Sequence, residues 1–88
     1  MQKAIDNFKL HCEFEKGLSQ YTLKAYNIDL EQFKSFIILK YGNLGINQVD
    51  KNHLKSYIKR ISSKKTKTIK RKLATIKAMF NFLEFEDD

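Results

Sequence analysis

From Lys51 to Leu83 there is not one aspartate or glutamate, while eleven Lys and Arg side chains fall in the same 33 residues. Elsewhere the charges balance or reverse: residues 1 to 50 hold six basic and six acidic side chains, and Glu84 to Asp88 add four acids around one phenylalanine. The formal net charge of +7 therefore comes almost wholly from one stretch. Like charges at that density repel one another unless a polyanion neutralises them. A basic stretch on a helical scaffold points first to nucleic-acid phosphates and second to an anionic membrane surface.

Other absences narrow the fold. Proline is missing and glycine occurs only at 17, 42 and 45, which favours long helices broken at those three places. A single cysteine, Cys12, excludes an internal disulfide and fits a reducing cytoplasm; on a helical face it reads as a small buried apolar residue. No apolar run approaches the 18 residues of a membrane span, and the charged N-terminus has no signal-peptide pattern. Eighty-eight residues make one domain with one modest core. An apolar content of 42% is too high for a disordered chain.

Periodicity predicts four helices and no strand, an all-α four-helix bundle. The first spans about residues 3–15, with Ile5, Phe8 and Cys12 on one face and Gly17 at the left-handed cap. The second spans about 20–40, capped by Ser19, with an apolar stripe of Leu23, Tyr26, Leu30, Phe33 and Ile37 opposite Lys24, Ala25, Gln32 and Ser35. Asp50 is placed to cap a third helix over 51–61, with Leu54, Tyr57, Ile58 and Ile61 inward. After a basic loop to Lys67, Thr66 or Thr68 can cap a fourth that runs to about Phe85. There Ile69, Leu73, Ile76, Phe80 and Leu83 step by 4-3-4-3. Tyr26 and Tyr57 are expected in the core, Tyr21 and Tyr41 on the surface, and His11 and His53 at the surface or boundary.

On a helical wheel the stripe of the fourth helix sets the inward direction. Lys67, Arg71, Ala74 and Ala78 then point away from it, with Lys70 and Lys77 on one flank and Thr68 and Thr75 on the other. Small residues between long basic ones let a helix approach a groove wall, and a helix N-terminus carries free N–H groups and partial positive charge. That is how a recognition helix is built for the major groove. A solvated surface helix would also carry alanines, but such faces usually mix both signs of charge. Phe82 and Phe85 fall on the outward side near the helix end, and the first helix is expected to cover them.

Two blocks resemble a known family. Glu15-Lys16-Gly17-Leu18-Ser19-x-x-Thr22-Leu23-x-x-Tyr26-x-x-Asp29-Leu30-x-x-Phe33 is similar to the opening of the core-binding domain of tyrosine recombinases, the phage integrases and Xer-type enzymes. Thr68-Ile69-x-Arg71-Lys72-Leu73-Ala74-x-Ile76-Lys77-x-Met79-Phe80 resembles that family's fourth helix, and the likeness covers about residues 5–85. The resemblance implies a SAM-like orthogonal bundle over residues 1–88, forming one half of a clamp around double-stranded DNA at a recombination half-site. It places Ser19, Thr22 and Lys24 on the DNA at the start of the second helix. On the fourth it places Thr68, Lys70, Arg71 and Lys77, with Lys64, Lys65 and Lys67 adding backbone contacts from the loop. Lys51, Lys55 and Lys59 are left to long-range attraction. Lysine is a point charge suited to phosphate, so Arg71 is the better candidate for a guanine edge.

The family's chemistry uses a tyrosine nucleophile and a His-x-x-Arg element in a separate C-terminal domain. Here His11 is followed three residues later by Phe14 and His53 by Ser56, so no catalytic residue is assigned. No metal-ligand spacing or phosphate-binding glycine loop occurs, and no cofactor is expected. The chain is expected to be a fragment of a longer recombinase, in a simple Xer-like arrangement, whose partners are the missing catalytic domain and neighbouring protomers. The competing reading is a helical protein-interaction module that meets an acidic partner through its basic face.

Overall fold

The computed structural model describes the backbone of residues 1–86 and side chains through Glu84. Four α-helices appear in chain order: α1 (Gln2–Leu10), α2 (Gln20–Tyr41), α3 (Lys51–Ile61) and α4 (Thr66–Glu86). No strand occurs among the described residues. α2 is the central element: α1, α3 and α4 all pack on it, and α1 also packs on α4.

α1 passes into a wide π-helical turn, His11–Glu15, where the sequence pattern predicts plain α-helix. The Lys16 amide reaches back to the His11 carbonyl at 3.2 Å, and the Leu18 amide to the Cys12 carbonyl at 3.1 Å. Between them Gly17 holds φ at 62°, a conformation open to glycine at little steric cost. Ala4, Ile5, Phe8 and Cys12 are buried on the predicted face, whereas Leu10 and Phe14 remain exposed. Burial raises the Cys12 thiol above its usual pKa, against the weaker pull of Lys16. Cys12 should therefore react with a disulfide reagent such as DTNB at pH 8 only after denaturant is added; fast labelling of the native chain would contradict this packing.

α2 starts where Ser19 predicts. The Ser19 Oγ accepts the Thr22 amide at 3.2 Å and lies 3.1 Å from the Thr22 hydroxyl. The helix ends at Gly42, whose φ is 82° and whose amide donates to the Ile38 carbonyl. A 3₁₀ turn, Ile46–Gln48, leads to Asp50. The Asp50 carboxylate accepts the Asn52 amide at 2.9 Å, and the Asp50 amide donates to His53 Nδ1, also at 2.9 Å. This reciprocal cap starts α3 where expected. α4 begins at Thr66, with the Lys65 carbonyl taking its first return hydrogen bond from the Ile69 amide. Thr66 and Thr68 thus lie inside the helix and neither is its cap.

The core comprises Ile5, Phe8, Cys12, Leu30, Phe33, Ile37, Tyr57, Ile61, Ile76 and Met79. Phe33 and Tyr57 meet edge to face with ring centroids 5.1 Å apart, tying α2 to α3. Each fully buried large side chain contributes roughly 1.5–3 kcal/mol of transfer free energy. Tyr57 is buried and Tyr26 is half-buried against Phe8, as the stripes predict. Two expectations need correction. Ile58 stands at the surface, because it lies roughly 80° round α3 from the direction that Tyr57 and Ile61 share. Tyr41 is half-buried: its hydroxyl donates to Ser56 Oγ at 2.7 Å and its ring meets His53 edge-on.

α4 packs in a different register from the one its apolar spacing predicts. Its buried residues are Lys72, Thr75, Ile76 and Met79, while Ile69, Leu73, Phe80 and Leu83 are half-buried. At 100° per residue this turns the inward direction by roughly 70° from the apolar stripe. Phe82 packs on Phe8 and on His11, at centroid distances of 5.7 and 4.6 Å, so the first helical segment covers it as expected. The Phe85 side chain lies outside the described residues.

Candidate nucleic-acid interface

The cause of the rotation in α4 is a buried carboxylate. Asp29 lies on the inward side of α2, three residues after Tyr26 and four before Phe33, and is 0% exposed. A carboxylate without water needs paired charge and several hydrogen bonds. α4 supplies them. Arg71 Nε and Nη2 donate to the two Asp29 oxygens at 3.1 and 2.9 Å, and Lys72 Nζ donates to Oδ1 at 3.0 Å. The Thr75 hydroxyl lies 3.4 Å from Oδ2 and 3.0 Å from the Arg71 carbonyl. Lys72 also donates to Gln32 Oε1. The hydrogen bond and charge of Asp29 raise the Arg71 pKa further above its ordinary value, so the guanidinium is permanently charged.

This network corrects the sequence-based wheel. Thr75, expected on an outer flank, is buried, and Ala78 packs toward the core. Arg71 leaves the centre of the outer face and folds along its edge to reach Asp29, with its side chain 48% exposed. Lys72 is removed from the surface altogether. The centre of the outer face becomes Lys67, Lys70, Ala74, Lys77 and Asn81, all exposed and stepping by 3-4-3-4. Lys70 and Lys77, assigned to a flank from sequence, stand on this ridge with one small alanine between them.

The other candidate residues fall around that ridge. Lys64 and Lys65 are exposed in the turn before α4, and Thr68 is half-buried in its first turn. Ser19 is exposed but engaged in capping α2, Thr22 is half-buried, and Lys24 is exposed. The middle of α2 meets the second turn of α4 through the Asp29 contacts, and Tyr21, 86% exposed in the first turn of α2, lies within electrostatic reach of Arg71. Among the described residues none of the other nine cations from Lys51 to Lys77 has an ion-pair partner. A second basic region exists as well. Lys40, Lys59, Arg60 and Lys64 edge a groove of about 1000 Å³ between α2 and α3, with Phe36 and Tyr57 on its walls.

Sequence reasoning missed Asp29, Lys72 and Tyr21 as parts of this site. A signal for the first two was present: Asp29 continues the Tyr26–Phe33 stripe, and Lys72 sits three residues after Ile69 and four before Ile76. Two opposite charges on the apolar faces of two helices are a candidate buried pair. Among the described residues no His, Cys, Asp and Glu side chains gather as metal ligands, and no helix is long and apolar enough to cross a membrane.

The structure is a small all-helical bundle with a basic, acid-free outer ridge. Comparison with known families makes it specific: the model for the phage integrase N-terminal SAM-like domain matches residues 5–87, and the chain belongs to that family. A tyrosine recombinase of Pseudothermotoga lettingae is 31% identical over 96% of the chain and 30% of its own length. One from Agathobacter rectalis is 34% identical over 99% of the chain and 28% of its length. The tyrosine recombinase XerC of Pelobacter propionicus is 34% identical over 94% of the chain and 28% of its length. The chain thus spans about three tenths of the curated relatives it matches. No solved structure gives a significant match. The match is to a recombinase domain and does not favour the protein-interaction alternative.

Proposed function

We propose that this chain binds double-stranded DNA as the core-binding half of a clamp that closes on a recombination half-site. It carries no catalytic residue of its own; strand cleavage would belong to the remainder of a longer tyrosine recombinase, and that remainder and neighbouring protomers would be its protein partners. Lys67, Lys70 and Lys77 would engage phosphates from the α4 ridge, with Thr68 beside them and Lys64 and Lys65 reaching the backbone from the preceding turn. Ser19, Thr22 and Lys24 would meet the DNA at the start of α2, where no acidic residue occupies the first turn. Arg71 would stand between the two helices at the groove.

The observation that carries this reading is the exposed Lys67–Lys70–Ala74–Lys77 ridge, unpaired among the described residues, on a domain of the recombinase family. Engaging about six phosphates would release condensed counterions and make log affinity fall with log salt at a slope near −5. Gel shifts of a 20- to 30-bp duplex between 50 and 200 mM KCl measure this directly. A slope near zero, or equal retention of a neutral competitor, would remove the proposal. Affinity should be modest, because one half of the clamp encloses only part of the duplex.

A further inference from the structure

Arg71 is the one cation of the basic stretch that is both buttressed by a buried carboxylate and open to solvent. Of its five N–H donors, Asp29 takes one from Nε and one from Nη2. Three remain, two of them parallel on the Nη1–Nη2 edge that Asp29 leaves free, and the side chain as a whole is 48% exposed. Lys72, with a 4% exposed side chain, also pairs with Asp29, so Arg71 keeps a net positive charge for an outside partner. Thr75 holds the Arg71 carbonyl and closes the network from below.

We propose that Asp29 is a positioning residue for sequence reading: it clamps Arg71 so that the free Nη1–Nη2 edge takes the O6 and N7 of one guanine in the major groove. The inference rests on the reading of the chain as a duplex-DNA binder. A free surface arginine samples many rotamers and loses that freedom on binding, whereas the carboxylate fixes the fork beforehand. Arg71 lies in the second turn of α4, near the end from which recognition helices reach base edges. The lysines of the ridge are single-point donors and add affinity without choosing a base. One clamped bidentate contact should give roughly tenfold preference for G·C at a single position.

The test is selection from a random 20-bp duplex library at low salt, with salt slopes measured on the pool. The wild-type chain should enrich one G·C position. Lys72→Met leaves the Asp29–Arg71 clamp in place and should keep that enrichment. Asp29→Asn combined with Lys72→Met removes the carboxylate and the buried ammonium together; it should lose the enrichment while the salt slope stays unchanged. The slowly exchanging Arg71 Nε–H proton signal should disappear from its NMR spectrum. Should that double variant fail to fold, Arg71→Lys decides, and it too should lose the base preference at nearly unchanged slope. DNA retained by the wild type without any enriched position, or enrichment that survives Arg71→Lys, overturns the positioning role and leaves DNA binding standing. No retained DNA at all overturns both.

Discussion

Asp29→Ala should destabilise the domain by about 3–5 kcal/mol, a large share of what a chain of this size has to lose. Removing the carboxylate leaves Lys72, 3% exposed, as an uncompensated buried ammonium and strips two hydrogen bonds from Arg71. The penalty comes from the orphaned charge more than from the lost attraction, because two charges and their hydration were already given up when the pair was buried. Replacing both members together, Asp29→Asn with Lys72→Met, should therefore recover most of the loss. Urea unfolding followed by circular dichroism checks both statements. An Asp29→Ala midpoint equal to wild type would mean that water reaches Lys72 and that the network is not closed.

The second large effect concerns binding. Reversing Lys24 and Lys70 to glutamate should weaken duplex binding on the order of a hundredfold at 50 mM salt and reduce the salt slope by about 2, one for each lost phosphate contact. Both side chains are exposed and unpaired among the described residues, so the melting curve should hardly move. Arg71→Glu, a natural choice from the sequence alone, is a poor probe. It would place a second carboxyl group beside that of buried Asp29 and confuse loss of fold with loss of contact. Unchanged affinity in the Lys24/Lys70 double variant would move the interface elsewhere, with the Lys40–Lys59–Arg60–Lys64 groove between α2 and α3 the next surface to test.

These two experiments separate cations that the sequence presents as alike. Eleven basic residues follow one another from Lys51 to Lys77, yet two of them serve Asp29, three stand on the α4 ridge, and three line the α2–α3 groove. Their positions depend on how α4 is turned about its own axis. That rotation is set by the need to satisfy one carboxylate, a requirement stronger than the difference between a half-buried and a fully buried leucine. Apolar spacing treats Lys72 as a break in the stripe, whereas the fold treats it as part of the core. The π turn after α1 leaves no mark in the apolar spacing for a related reason: its extra residue follows the Ile5–Phe8–Cys12 face and leaves that face intact.

Much was nevertheless written into the chain itself. Three glycines, the caps at Ser19 and Asp50, and the 3- and 4-residue apolar steps determined four helices and nearly all their limits, because those signals act within a few residues of where they occur. The Leu30–Phe33–Ile37 face of α2, the excess of positive charge and the likeness to recombinase core-binding domains were equally local. The pairing of Asp29 with Arg71 and Lys72, separated by 42 and 43 residues, was not. Only packing α4 against α2 decided which basic side chains were drawn inward and which were left to face a partner, since charge burial is settled between helices and not along one.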